Sequence, residues 1–130
     1  MAFFIVLLAC GWLVVVALLM ALKPGLCFRL FARMSAALEA SNWRVHLVEQ
    51  GLRIVVGGAF IAHAPASKLP IAFEVAGWIL VLTSVLILLA PIRWHGKFGT
   101  FWVERLTPAI IRACAPLPAL AGAGVIYAAI

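Results

Sequence analysis

The chain has 130 residues, of which 67% are hydrophobic and 11% are charged. A soluble domain is about 45–50% apolar, and a domain of this length cannot hide the excess in its core, so the composition excludes a soluble globular protein. The net charge of +6 is explained by basic residues at the cytoplasmic membrane surface, and no pattern typical of nucleic-acid binding accompanies it.

Two apolar runs with an amphipathic stretch between them form the first half of the chain. Residues 3–22 are apolar without interruption, and about 20 helical residues cross the hydrocarbon core of a bilayer. Pro24-Gly25 ends this run, and residues 28–40 then place apolar and basic side chains on different sides of a helix, which is typical of the membrane interface. A turn at Ser41-Asn42 precedes the second span, predicted over residues 46–64.

The second half follows the same order. A short loop leads to the third span over residues 71–90, which Pro91 ends. Residues 91–107 carry aromatic and basic side chains and are predicted to lie in the interface. The fourth span is predicted over residues 108–130, with a kink at Pro116 and Pro118. We therefore predict an all-α integral membrane protein: one membrane domain with four transmembrane helices, arranged as two helical hairpins with interfacial amphipathic stretches.

The basic residues predict the orientation. Nine of the ten lie between residues 23 and 53 or between 93 and 112, and only Lys68 lies in the loop between the second and third spans. Because basic loops stay in the cytoplasm, the stretches 23–45 and 91–107 are predicted to be cytoplasmic and both termini to lie outside. The predicted location is the bacterial inner membrane.

The similar order of the two halves has two interpretations. Leu22-Lys23-Pro24 matches Leu89-Ala90-Pro91, as in a parallel repeat about an axis along the membrane normal. Convergence on a helical hairpin is the alternative. Small residues let membrane helices approach closely, and the predicted packing positions are Gly57, Gly58, Gly122 and Gly124.

A first candidate site lies near the non-cytoplasmic ends of the second and third spans. An ionisable residue within a span suggests function, and Glu74 is such a residue, with His63 and Lys68 expected close to it. The set would bind a cation or relay a proton. The alternative is that Glu74 anchors its helix at the interface, paired with Lys68 and favoured by the positive helix N-terminus.

A second candidate site lies on the cytoplasmic side. His46, Glu49 and Arg53 are predicted to form a polar cluster, with Glu49 and Arg53 paired at i,i+4. His95 is expected at the level of His46, but nothing in the spacing supports haem. Arg53, Arg105 and Arg112 are candidate contacts for a lipid headgroup.

No motif for catalysis or metal binding is present. The chain lacks a nucleophile–base set, a phosphate-binding glycine loop and a CxxC pair, and we interpret its three cysteines as small hydrophobic residues. We predict no catalytic residue, no metal site and no cofactor, and a protein that is not an enzyme.

Several motifs in residues 50–130 resemble those of short, uncharacterised bacterial inner-membrane proteins with four spans. These motifs are Arg53-x3-Gly57, Ala64-Pro65-Ala66-Ser67-Lys68 with Pro70, Gly77-Trp78, and Pro91-x-Arg93-Trp94-His95. The resemblance implies a membrane location and no assigned activity. Arg53-x3-Gly57-x2-Phe60 and Lys68-Leu69 are faintly similar to a stretch of DoxX-like proteins. The length resembles that of small multidrug resistance transporters, whose essential glutamate lies in the first helix, where this chain has none.

The sequence is therefore compatible with three functions. The first is a non-enzymatic accessory or self-associating protein, which forms a homo-oligomer or binds a membrane protein partner in the lipid bilayer and does not bind nucleic acid. The second is a small oligomeric proton-coupled transporter that uses Glu74. The third is a lipid- or quinone-binding module that uses the cytoplasmic arginines.

Overall fold

The structure is a computed structural model that describes residues 1–130 and contains seven α-helices. A 3₁₀ turn at Ala64–Ala66 extends the third helix. The helices are α1 (Ala2–Leu22), α2 (Pro24–Glu39), α3 (Trp43–His63), α4 (Pro70–Leu89), α5 (Ile92–Val103), α6 (Pro108–Cys114) and α7 (Pro116–Ala129).

Four stretches are long and apolar enough to cross a membrane, and the predicted all-α membrane fold is confirmed. They are Ala2–Leu22, Trp43–Ala66, Pro70–Leu89 and Pro108–Ala129. The second begins three residues before its predicted start at 46, because the polar residues of α3 continue the helix beyond its apolar part. α2 and α5 fill the two stretches that were predicted to be amphipathic.

Local sequence explains where the helices begin and end. Asn42 caps α3, since its side chain accepts a hydrogen bond from the Val45 N–H at 3.3 Å. Ser41, before it, has a φ of 63°, which turns the chain from α2 into α3. Proline occupies the start of four helices, where its missing N–H leaves no bond unmade. The fourth span is interrupted between Cys114 and Pro116, at the first of its two predicted kink prolines.

Two close helix contacts join the two halves of the chain at corresponding positions. α3 packs on α4 where Gly57 meets Gly77, and α7 packs on α1 where Gly122 meets Cys10. Gly77 lies 67 positions after Cys10, and Gly122 lies 65 positions after Gly57. Each contact therefore joins a helix of the first half to a helix of the second, and the two contacts correspond to each other as expected for an internal repeat.

The predicted packing glycines divide into two kinds. Gly57 and Gly122 lie at these helix contacts, whereas a Cβ added at Gly58 or Gly124 would meet no atom within 4 Å. This corrects the prediction for Gly58 and Gly124, which face away from the neighbouring helices because they lie on a different side of the helix from Gly57 and Gly122.

α2 and α5 pack against each other and join the two halves. Gly96 lies against the backbone of Leu38 and Glu39, and Gly99 lies against Ser35. The end of the bundle that holds α2 and α5 is called the basic end below. The opposite end, which holds both termini and the turn at Ala64–Ala66, is called the terminal end.

The core differs between the two ends. An apolar cluster fills the terminal end, in which Phe60 stacks on Phe73 with ring centroids 5.1 Å apart. At the basic end the fully buried side chains include His46 and Gln50. Polar side chains are therefore buried in the part of the bundle that adjoins α2 and α5.

Candidate polar site at the basic end

Four side chains form the basic-end cluster: His46, Glu49 and Gln50 of α3 and His95 of α5. His95 Nε2 donates to Glu49 Oε2 at 3.1 Å, and the two side chains are 18% and 23% exposed. The ring of His46 lies between those of Trp43 and His95, with centroid distances of 5.6 and 5.7 Å. The cluster thus runs from a partly exposed hydrogen bond between His95 and Glu49 to the buried imidazole of His46.

His46 and Gln50 are both 0% exposed. No hydrogen-bond partner lies near His46 Nδ1 or Nε2, nor near Gln50 Oε1 or Nε2. Each unsatisfied buried polar group costs about 1–3 kcal/mol, and such groups in native proteins call for an explanation such as a bound molecule. Two neighbouring side chains with four such atoms are the strongest polar anomaly in the fold.

The helical period of α3 places these residues together. His46, Gln50, Arg53 and Gly57 follow one another at i, i+4, i+7 and i+11, which is one face of a helix. Gly57 packs against α4. His46, Gln50 and Arg53 lie on the same face of α3 and therefore also point toward the inside of the bundle. Sequence reasoning missed Gln50, although extending the period from Gly57 back to His46 passes through it.

The predicted pair between Glu49 and Arg53 does not form. Glu49 pairs with His95, and Arg53 donates from Nη2 to Thr83 Oγ1 of α4 at 3.3 Å. Thr83 donates in turn to the Ile79 carbonyl at 2.6 Å. Arg53 lies ten residues into α3, which is about 15 Å from its start. At this depth the Thr83 hydroxyl of α4 accepts one of the hydrogen bonds that the Arg53 guanidinium can donate.

A groove of about 430 Å³ opens beside the basic-end cluster. Its wall includes Trp43, whose ring contacts His46, and Ile92, which is buried at the start of α5. Arg93 lies at the groove and donates to Ser41 Oγ at 3.2 Å. The lining residues are Ser41, Trp43, Leu88, Leu89, Ala90, Pro91, Ile92 and Arg93. An apolar groove with a cationic rim therefore lies next to the unsatisfied atoms.

The candidate site at the terminal end does not assemble. His63 is buried against the rings of Phe3 and Phe73, and its Nε2 donates to the Ala129 carbonyl at 3.0 Å. Lys68 lies over the ring of Tyr127, with Nζ 4.0 Å from the centroid.

Glu74 is exposed on α4 and has neither an ion-pair nor a hydrogen-bond partner. The predicted grouping fails because His63 and Lys68 contact the end of α7, which sequence proximity does not show.

The three arginines proposed as headgroup contacts are also separated. Arg53 bonds to Thr83. Arg105 donates to the Phe101 carbonyl at 2.8 Å and lies over the Phe101 ring at 3.5 Å. Arg112 lies in a different groove, between α1 and α6–α7. A single pocket built from all three does not exist.

No protein-family model, curated protein or solved structure matches the chain. No three histidine, cysteine or acidic side chains are grouped as metal ligands.

Proposed function

We propose that this chain is a non-enzymatic bacterial inner-membrane protein that binds a membrane-soluble amphiphile, of the lipid or quinone class, at the basic-end cluster. The observation that supports it is the complete burial of His46 and Gln50 with four unpartnered polar atoms. A polar ligand head that bonded to these atoms would offset the free energy that their burial costs.

The groove defines the shape of the ligand. Its walls are mainly apolar and its rim carries Arg93, which suits a molecule with a hydrocarbon part and a polar head. The head reaches His46 only when the Trp43 ring, which lies between groove and imidazole, rotates away. Trp43 is 54% exposed, so solvent or lipid leaves room for that rotation.

The chemistry of the cluster defines the ligand head. A neutral histidine offers one donor and one acceptor, and a glutamine amide offers two donors and an acceptor. Quinone carbonyls and lipid phosphates or esters all accept hydrogen bonds, so both classes satisfy the donors of His46 and Gln50. The experiment below separates them by identifying the extracted molecule.

The proposed orientation places the site in the cytoplasmic leaflet. Eight of the ten basic residues lie in or near α2 and α5, Arg53 lies within α3, and only Lys68 lies in the loop at the terminal end. The positive-inside rule then supports a cytoplasmic basic end and external termini.

Gln50→Met is expected to remove the ligand and stabilise the empty protein. Methionine keeps the length of the side chain but removes two unsatisfied polar atoms, which is worth about 1–3 kcal/mol in the unliganded state. The protein would be purified in mild detergent, its bound lipids and quinones identified by mass spectrometry after solvent extraction, and its thermal unfolding measured.

Val48→Met is the matched control, since Val48 is exposed on the same helix and the substitution should leave both measurements unchanged. Identical extracts from wild type and Gln50→Met would contradict the proposal, and a less stable Gln50→Met protein would show that Gln50 has partners within the fold.

Self-association is a second candidate function. The observation that favours it is that Glu74 lies within a span and has no partner there. Glu74 lies about 6 Å into α4 among exposed apolar residues and has no partner. A charge within a span costs up to about 3 kcal/mol at the centre of the bilayer and less toward its surfaces. A hydrogen-bond donor from a second copy of the chain would offset this cost at Glu74 and so stabilise the association of the two copies.

Glu74→Gln is therefore expected to shift the native mass in mild detergent from an oligomer toward a monomer. Glu104→Gln is the control, because Glu104 is exposed outside the spans. A wild type that is monomeric, or an oligomer that Glu74→Gln leaves intact, would exclude this role for Glu74.

A further inference from the structure

A second groove, of about 320 Å³, lies between α1 and the fourth span. Every residue that lines it is apolar except Arg112. The lining residues are Val14, Ala17, Leu18 and Ala21 of α1, and Arg112, Ala115, Pro116 and Ala119 of the fourth span. This groove is separate from the basic-end cluster and does not depend on its proposed function.

Small residues and the break before Pro116 explain why the groove is open. The helices touch closely at Cys10 and Gly122, but toward the basic end alanines face each other and leave space. α1 and α7 are antiparallel, so Ala21 and Arg112 lie at the basic end of the groove, and Val14 and Ala119 lie deeper.

The dimensions of the groove match part of one leaflet. Ala21 lies seven positions after Val14, which corresponds to about 10 Å along a helix. One leaflet contributes about half of a 30 Å hydrocarbon core. The groove therefore runs along most of the depth of one leaflet, with its charged end nearest the basic end of the bundle.

Arg112 has no partner in the fold. No acidic side chain pairs with the Arg112 guanidinium, and no hydrogen bond involves it. Arg112 is exposed and lies four residues into the fourth span, so its long side chain brings the guanidinium to the level of the lipid headgroups. A phosphate is the anion that the planar guanidinium binds best, through two parallel hydrogen bonds.

We propose that the groove between α1 and the fourth span binds one anionic phospholipid, with its phosphate on Arg112 and an acyl chain along Val14 and Ala119. Charge complementarity and depth support this occupant, because the groove is apolar toward the membrane centre and cationic toward the basic end. In the orientation proposed above, the anionic cytoplasmic leaflet supplies such lipids.

The test is native mass spectrometry of the detergent-purified chain after addition of phosphatidylglycerol or phosphatidylethanolamine with the same acyl chains. Wild type is expected to retain one phosphatidylglycerol in preference to phosphatidylethanolamine. Arg112→Gln is expected to weaken retention of phosphatidylglycerol about tenfold, the effect of losing one strong interaction. Ala119→Leu, which fills the groove and keeps the charge, is expected to reduce retention of both lipids.

Arg105→Gln is the matched control, because it removes the same charge at a residue bound to Phe101 outside the groove. Equal losses in Arg105→Gln and Arg112→Gln would overturn the proposal in favour of general electrostatic attraction. Equal retention of the two lipids by wild type would overturn it as well. Gln50→Met leaves this groove intact, so its effect on the basic-end ligand is distinguishable from loss of the phospholipid.

Discussion

Gly96→Ala is expected to separate α2 from α5 and to lower the stability of the whole protein. A Cβ at this position would lie 2.5 Å from the Glu39 Cα and 2.7 Å from the Leu38 carbonyl carbon. These are backbone atoms, so no side-chain rotation relieves the contact, and one helix has to move. Alanine gains about 1 kcal/mol of helix propensity over glycine, but overpacking costs about 1–3 kcal/mol or more. Because the contact is with rigid backbone, we expect the destabilisation by Gly96→Ala to lie at the upper end of this range.

Thermal unfolding in detergent measures this effect, with Gly51→Ala as the control. A Cβ at Gly51 would meet no atom within 4 Å, so that variant should equal or exceed wild type in stability. Gly99→Ala should be milder than Gly96→Ala, because its nearest neighbour is the Ser35 hydroxyl, which can rotate. Gly96→Ala unfolding at the wild-type temperature would show that α2 and α5 do not pack as described.

The same variant should disturb the basic-end cluster. His95 precedes Gly96 on α5 and bonds to Glu49 of α3 at 3.1 Å, so moving α5 stretches the only side-chain hydrogen bond between α3 and α5. Loss of the extracted amphiphile from Gly96→Ala would connect the packing of α2 and α5 to the proposed site.

The helices themselves could be predicted from sequence because their causes are local. Apolar runs of membrane length, prolines at helix starts and the Asn42 cap all act within a few residues. The broken fourth span was predictable for the same reason, since Pro116 cannot continue the hydrogen bonding of the helix before it.

The polar partners could not be predicted, because they join distant parts of the chain. Glu49 has Arg53 one turn away, yet it pairs with His95, 46 positions later. Likewise His63 bonds to Ala129, 66 positions away, instead of approaching Glu74. Neighbours in sequence are partners only when the helices face the right way, and the face of α3 depends on which side Gly57 presents to α4.

Gly96 and Gly99 show how one residue type supports opposite predictions. As glycines they weaken the helix prediction for α5. In the fold they permit the contact between α2 and α5, since both lie against residues of α2. A packing role requires knowledge of the opposing surface, which sequence periodicity does not provide.

Gly77→Ala is expected to open the contact between α3 and α4 and to have the second large effect on stability. Its Cβ would lie 2.6 Å from the Gly57 carbonyl oxygen and 3.0 Å from the Ile61 backbone nitrogen. Since both are backbone atoms, α3 and α4 have to separate, at a cost of about 1–3 kcal/mol or more. Thermal unfolding of the purified protein measures the loss, and Gly58→Ala, one position from the contact and open to its surroundings, should show none.

Comparison with Gly122→Ala tests whether the corresponding contact, between α1 and α7, is equally tight. A Cβ at Gly122 would lie 3.0 Å from the Cys10 carbonyl oxygen and 3.2 Å from a Val14 methyl, so small shifts accommodate it. We expect Gly122→Ala to be much less destabilising than Gly77→Ala, because Cys10 already keeps α1 farther from α7 than Gly77 keeps α4 from α3. Equal losses of stability would mean that both contacts are equally close. They would argue against the wider separation of α1 and α7 that leaves the groove between α1 and the fourth span open.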